Sequence, residues 1–165
     1  LGEFSELFIQ VLELARENAG RLGLEIDFRL LDMNRPLPFA EEFDSVLIFD
    51  ALHHCPDETA VLKHCRDVLR PGGRVVLVEP DWFHEFSPGS KKARDEFGTT
   101  ERGMGYGRMK RAFKRAGFER SARYFQVDAT CGSSLMERAR ALATTVATLT
   151  VGFPHRSVIG TAVKP

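Results

Sequence analysis

Apolar residues recur at helical spacing from Glu6 to Ala19, where Phe8, Leu12, Ala15 and Ala19 share one face and Val11 lies beside them. Gly20 and Gly23 end this helix. Ile26 to Leu31 alternates, with Ile26, Phe28 and Leu30 on one side, and predicts a short strand. Pro36 and Pro38 forbid regular structure just after it. Phe43 to Phe49 is nearly continuously apolar, the pattern of a strand covered on both faces in a parallel sheet. The period then returns to helical over Asp57 to Leu69, with Val61, Leu62, Cys65, Val68 and Leu69 as the apolar stripe. Pro71-Gly72-Gly73 turns the chain into another apolar strand, Val75 to Val78.

Residues 82–107 interrupt this alternation. They are polar and glycine-containing, carry Trp82, Phe83, Phe86, Phe97 and Tyr106, and predict an insert facing a substrate, with a helix near Lys91 to Phe97. Gly107 to Ala116 predicts a basic helix with Met109, Ala112, Phe113 and Ala116 inward, closed by Gly117. Phe118 to Val127 reads as a strand, Ser133 to Thr150 as a helix and Ser157 to Val163 as a last strand. Strands alternating with helices define an α/β domain built on a doubly wound, mostly parallel sheet, and the 165 residues suit one such domain.

Composition adds exclusions. No apolar run approaches the ~18 residues of a membrane span, and the longest candidate, Ala141 to Phe153, is broken by threonines and Gly152. The three cysteines, Cys55, Cys65 and Cys131, form no disulfide framework and point to a reducing, cytoplasmic setting. The net charge of zero conceals an asymmetry. Residues 1–87 hold 17 acidic and 8 basic side chains, whereas residues 88–123 hold 4 acidic and 11 basic. Such a basic segment is either a solvated helix face or a means of steering an anionic partner.

Ordered signatures within Leu24 to Asp81 carry the chemistry. Asp32 is followed by Leu37-Pro38-Phe39 and Phe43-Asp44. His53-His54 is followed by Asp57 and then by Val68-Leu69-Arg70-Pro71-Gly72-Gly73. In this order and spacing they resemble the second half of a class I S-adenosylmethionine (SAM) methyltransferase of the type 11, ubiquinone/menaquinone-like group. Ala116-Gly117-Phe118 and the closing Val158 to Pro165 resemble that group's tail more loosely. The resemblance implies a Rossmann-like sheet. It also implies a SAM site beyond the carboxyl ends of the strands, the usual ligand position in open α/β sheets.

Carried over residue by residue, the resemblance implies that Asp32 accepts a hydrogen bond from the adenine amino group and that Met33 contacts the ring. Asp50, Ala51 and Leu52 would line the SAM pocket, and Glu3 or Glu6, with Glu3 preferred, would bind the ribose hydroxyls. No strand and glycine-rich turn precede Asp32. The expectation is therefore a single methyltransferase domain over 1–165 that lacks its first strand and, as this chain alone, has an incomplete cofactor site. The only glycine cluster, Glu101-Arg102-Gly103-Met104-Gly105-Tyr106-Gly107, reads as a flexible connection. A circularly permuted cofactor loop, with Asp128 as ribose acid, is its alternative.

Methyl transfer from a sulfonium is an in-line displacement that needs alignment more than a catalytic triad. A base helps a hydroxyl acceptor, and His53 and His54, at a strand-to-helix turn, are the candidates. Glu79, Asp81 and Trp82 follow the next strand and are the candidate acceptor contacts. A zinc reading of His53, His54, Cys55, His64 and Cys65 matches no usual ligand spacing, so no metal is expected. The partner predicted is a small-molecule methyl acceptor, such as a metabolite, quinone-like compound or sugar. A non-catalytic methyltransferase-like binding module, or an RNA-binding protein using 88–123, are the alternatives.

Overall fold

A computed structural model of the chain describes residues 2–124, 136 and 157–165. The chain divides into two compact units, Leu1–Met33 and Asn34–Pro165. The first contains helix α1, Gly2–Arg21, longer at both ends than the spacing predicts. The strand expected over 26–31 does not form. Its residues pair with none of the described strands, and Ile26 and Leu30 are exposed. An alternating hexapeptide without a partner strand has no ladder to satisfy its backbone, and the Phe28 carbonyl accepts from the Arg16 guanidinium at 3.1 Å instead.

The second unit holds four described strands in the order β1-β2-β4-β3: β1 Phe43–Phe49, β2 Leu69–Pro80, β3 Glu119–Tyr124 and β4 Ser157–Val163. β1 and β2 run parallel, while β4 is antiparallel to both β2 and β3. The α/β class read from the sequence therefore holds, with a mixed sheet among the described strands. The Pro71-Gly72-Gly73 turn survives as a bulge. Phe43 pairs with Leu69 and Ser45 with Arg74, so four residues of β2 oppose Asp44 alone. The two-sided burial expected of β1 is not observed. Ile48 is buried, but Leu47 and Phe49 are 64% and 66% exposed. β1 lies at the end of the described strand order, where only one face is covered.

Helix α2, Glu58–Val68, crosses from β1 to β2. Asp57 caps it, its carboxylate accepting from the Thr59 and Ala60 amides at 2.9 and 3.0 Å. The predicted stripe is its buried face: Val61, Leu62, Cys65 and Val68. Helix α3, Pro88–Phe97, starts on a Ser87 cap with proline in its first turn. Helix α4, Tyr106–Arg115, is the predicted basic helix, and Met109, Ala112, Phe113 and Ala116 are all buried. It packs on β4 at Gly160, where an added Cβ would stand 2.9 Å from the Met109 sulfur.

The β2 pattern positions the site. Val75, Leu77 and Glu79 alternate onto one fully buried face, so the period of two carries a carboxylate into the core at the strand's carboxyl end. The helix expected over 133–150, Asp128 and the end of the strand expected over 118–127 lie outside the described residues, apart from Met136.

Candidate active site

Asp50 follows β1, and its amide donates to the Val78 carbonyl at 2.8 Å. Asp50 then takes a left-handed backbone, φ 50°. That conformation costs most L-residues energy and is tolerated best by Asp, Asn and Gly. The chain is thereby thrown into a single turn of 3-10 helix, Leu52–His54, at the carboxyl end of the parallel β1–β2 pair.

Glu79 holds that turn from beneath. One carboxylate oxygen accepts from the Ala51 and Leu52 amides at 3.2 and 2.8 Å. The other accepts from the His53 amide at 3.3 Å and from the His53 Nδ1 at 2.7 Å. Glu79 is fully buried and His53 is 2% exposed. Glu79 is thus engaged by the turn, in place of the acceptor contact expected of it. A carboxylate has only lone pairs to offer, so His53 Nδ1 carries a proton and Nε2 points away from Glu79.

The insert closes over this turn. His53 Nε2 faces Glu101 Oε2 at 3.8 Å, His54 Nδ1 faces Glu101 Oε1 at 3.4 Å, and His84 Nε2 lies 3.0 Å from Glu101 Oε2. Thr99 donates to Glu101 Oε1 at 3.1 Å, and Arg94 donates to the Glu101 carbonyl at 3.0 Å. Burial pushes the Glu101 carboxyl upward, but the His84 hydrogen bond, the neighbouring His54 and His53 and the Thr99 hydroxyl outweigh it and hold Glu101 below its ordinary value. The cluster is buried at His53 and Glu101 and open at His54 and His84, whose side chains are 44% and 28% exposed.

The expected flexible connection is therefore a packed element. Gly103 lies directly on the Trp82 backbone, where an added Cβ would meet main-chain atoms at 2.5 Å. Met104 is fully buried, and its amide donates to the Pro80 carbonyl at 3.0 Å. The segment follows helix α3, not a strand, which removes the permuted-loop alternative. A cleft of about 370 Å³ opens beside it, lined by Trp82, Glu85, Phe86, Gly103, Gly105, Gly107, Arg108 and Arg111. Trp82 stacks on Phe83 with centroids 3.5 Å apart and remains 54% exposed. Asp81 is 8% exposed and accepts from the Phe83 amide at 2.9 Å, shaping the turn that presents Trp82.

Arg108, in the cleft lining, makes a two-pronged pair with Glu58 at 2.9 and 3.2 Å. Arg102 donates to the carbonyls of Cys55 and Pro56. Both arginines tie the insert and α4 to the start of α2. Asp32 and Met33 fall in the first unit, as do Glu3 and Glu6, which lie on α1 and whose side chains are outside the described residues. Glu101 and His84 were missed from the sequence because neither is adjacent to His53. Glu101 stands in a glycine cluster whose signal in the sequence is one of backbone conformation.

Comparison with known proteins bears directly on this turn. Residues 6–77, from α1 through the strand that leads to Glu79, match a family described as a methyltransferase domain, of type 11. The chain is 42% identical over 65 residues to a ubiquinone biosynthesis O-methyltransferase of Dinoroseobacter shibae, an alignment covering 39% of this chain and 26% of that protein. Methyltransferase GfsG of Streptomyces halstedii is 37% identical over 71 residues, covering 41% and 25%. The chain thus spans about a quarter of the length of these curated relatives.

Solved structures extend the likeness in fold. An S-adenosylmethionine-dependent methyltransferase from Mesorhizobium loti superposes with a TM-score of 0.61 at 17% identity, covering 92% of this chain and 75% of that one. The cyclase SpnF superposes with 0.63 at 20% identity, covering 93% and 63%. At these identities the methyltransferase likeness establishes the Rossmann-like fold, and a cyclase among the neighbours illustrates that fold and chemistry are separable.

Proposed function

We propose that this chain serves a SAM-dependent methyltransferase acting on a small-molecule acceptor, with a hydroxyl oxygen as the methylated atom. The observation that carries the reading is the strand-end turn Asp50 to His54, held by buried Glu79 at the carboxyl end of a parallel pair. This is where open α/β sheets bind ligands. The relatives named as O-methyltransferases of ubiquinone biosynthesis support a hydroxyl on a quinone-like ring as the acceptor.

The residues present fit such a cofactor. The exposed Asp50 carboxylate and the Ala51–Leu52 backbone stand at the strand ends, where they would face such a cofactor. SAM, when bound, supplies an electrophilic methyl group. The chain's own work is alignment, which contributes roughly 7–11 kcal/mol in well-oriented reactions. The Trp82 cleft receives the acceptor ring. As the acceptor oxygen takes the methyl group, its hydroxyl proton would pass to His54, the exposed member of the pair. His53, gripped by Glu79, keeps the turn in place. The buried, reduced Cys55 and Cys65 suit a cytoplasmic setting.

The test is calorimetric titration of the full-length protein with S-adenosylhomocysteine. We expect binding that Asp32→Ala weakens at least tenfold and that Asp44→Ala, at an exposed strand carboxylate, leaves unchanged. A folded protein that does not bind overturns the proposal.

A further inference from the structure

The Glu101 cluster contains a contact that its own hydrogen bonds do not explain. His53 Nδ1 must donate to Glu79 Oε2 at 2.7 Å, because a carboxylate only accepts. In the neutral ring, Nε2 is then a bare lone pair. It faces a second carboxylate, Glu101 Oε2, at 3.8 Å, in a place where both side chains are almost fully buried. Both atoms offer lone pairs to a cation placed between them. His54 Nδ1, 3.4 Å from Glu101 Oε1, converges on the same space, and the ligating atoms of His53, His54 and Glu101 all lie within 4.8 Å of one another.

We propose that His53 Nε2, His54 Nδ1 and the Glu101 carboxylate bind a borderline divalent cation, with zinc as the best fit. Metal–ligand bonds of about 2.0–2.2 Å in a tetrahedron place donor atoms roughly 3.3–3.6 Å apart; the 3.4 Å separation falls within that range and the 3.8 Å one lies just above it. Two imidazoles and one carboxylate make a donor set that zinc accepts with its fourth position open. The supporting shell is already built. Glu79 fixes the tautomer and the ring plane of His53, while His84 and Thr99 hold the two Glu101 oxygens, the arrangement that orients ligands in metal sites. The half-exposed His54 side leaves a route for the ion.

A second trio, Asp50, His53 and Glu79, also has donor atoms within 4.8 Å of one another. It is the poorer site, because the Glu79 oxygens already accept four N–H donors.

The site shares His54 with the proton acceptor proposed above, so ion and proton compete for that ring, and the experiment reads metal directly and not activity. The tag-free, metal-stripped full-length protein is titrated with Zn²⁺ against a chromophoric chelator, and separately with Co²⁺ to record its visible spectrum. One ion per chain is expected, with the intense d–d bands of four-coordinate cobalt. His54→Ala and Glu101→Gln should each weaken Zn²⁺ binding at least tenfold, His84→Ala should weaken it roughly tenfold as a supporting residue, and His64→Ala, on α2, should leave it unchanged.

His54 is half exposed, so its removal leaves the core intact, and circular dichroism verifies the fold of each variant. A folded wild type that takes up no stoichiometric Zn²⁺ overturns the proposal. So does uptake that survives both His54→Ala and Glu101→Gln. S-adenosylhomocysteine titration of the same samples separates the two readings, since metal uptake without cofactor binding defeats the methyltransferase proposal and leaves this one standing.

Discussion

Glu79 and His53, 26 positions apart, form a fully buried carboxylate–imidazole hydrogen bond of 2.7 Å that locks the turn after β1 to the end of β2. The same carboxylate takes three backbone amides of that turn. Its loss strands four donors in the core. Glu79→Ala should cost about 3–5 kcal/mol, the range for breaking a buried polar pair by removing one partner. Glu79→Gln, which keeps one acceptor oxygen, should cost less. Urea unfolding of the three proteins provides the comparison, and equal stability of Glu79→Ala and wild type would refute the locking role.

Gly103 and Gly107 are two residues of one glycine cluster with opposite demands. An added Cβ at Gly103 collides with Trp82 main chain at 2.5 Å, whereas at Gly107 the nearest atom is an Arg111 guanidinium nitrogen at 3.6 Å. Gly103→Ala should therefore destabilise by about 1–3 kcal/mol, the usual penalty of overpacking. Gly107→Ala lies within α4 and should be neutral or stabilise by up to about 1 kcal/mol. Thermal melts of both variants test the contrast.

Glu58 makes stability depend on acid. Burial raises its carboxyl, but the Arg108 hydrogen bond, its own backbone and the charges of Arg108 and Arg102 prevail and lower it. A folded value below the unfolded one means that the unfolded chain binds the proton first. The stabilisation is therefore complete above the unfolded carboxylate pKa and is lost as pH falls through the folded one. Glu58→Gln should lower stability near neutrality and flatten the decline in acid. Urea midpoints between about pH 6 and pH 3, spanning the ordinary glutamate range, measure both effects, and parallel profiles for the two proteins would contradict the assignment.

Cys65 belongs to the buried stripe of α2, and burial, with Cys55 nearby, pushes its thiol up to about 11. The thiolate is the reactive form, so native Cys65 should resist a thiol reagent at neutral pH and react promptly once unfolded in guanidinium. Mass mapping of the labelled cysteines decides it. Fast native labelling of Cys65 would show that α2 opens locally.

Much of this protein was readable along the chain. The stripe of α2, the inward face of α4 and the limits of β4 each follow from a local period, because a helix or strand must turn its apolar side toward the core wherever it sits. The same logic brought His53 and His54 to a strand-end turn. Parity even placed Glu79 on the buried face with Val75 and Leu77, a signal that was available in the sequence but was read as an acceptor contact.

What the tertiary structure decided is who meets whom. The alternation at 26–31 has the form of a strand, yet no described strand pairs with it, because pairing is a property of a neighbour and not of a hexapeptide. β1 has the composition of a strand covered on both faces, yet Leu47 and Phe49 stand exposed at the end of the described sheet. Glu101 reaches His53 and His54 from 48 and 47 residues away because Gly103 lets the insert lie on the Trp82 backbone. Local sequence dictates period and conformation, whereas a site assembled from an insert and two strand ends depends on non-local packing, which no window of the sequence contains.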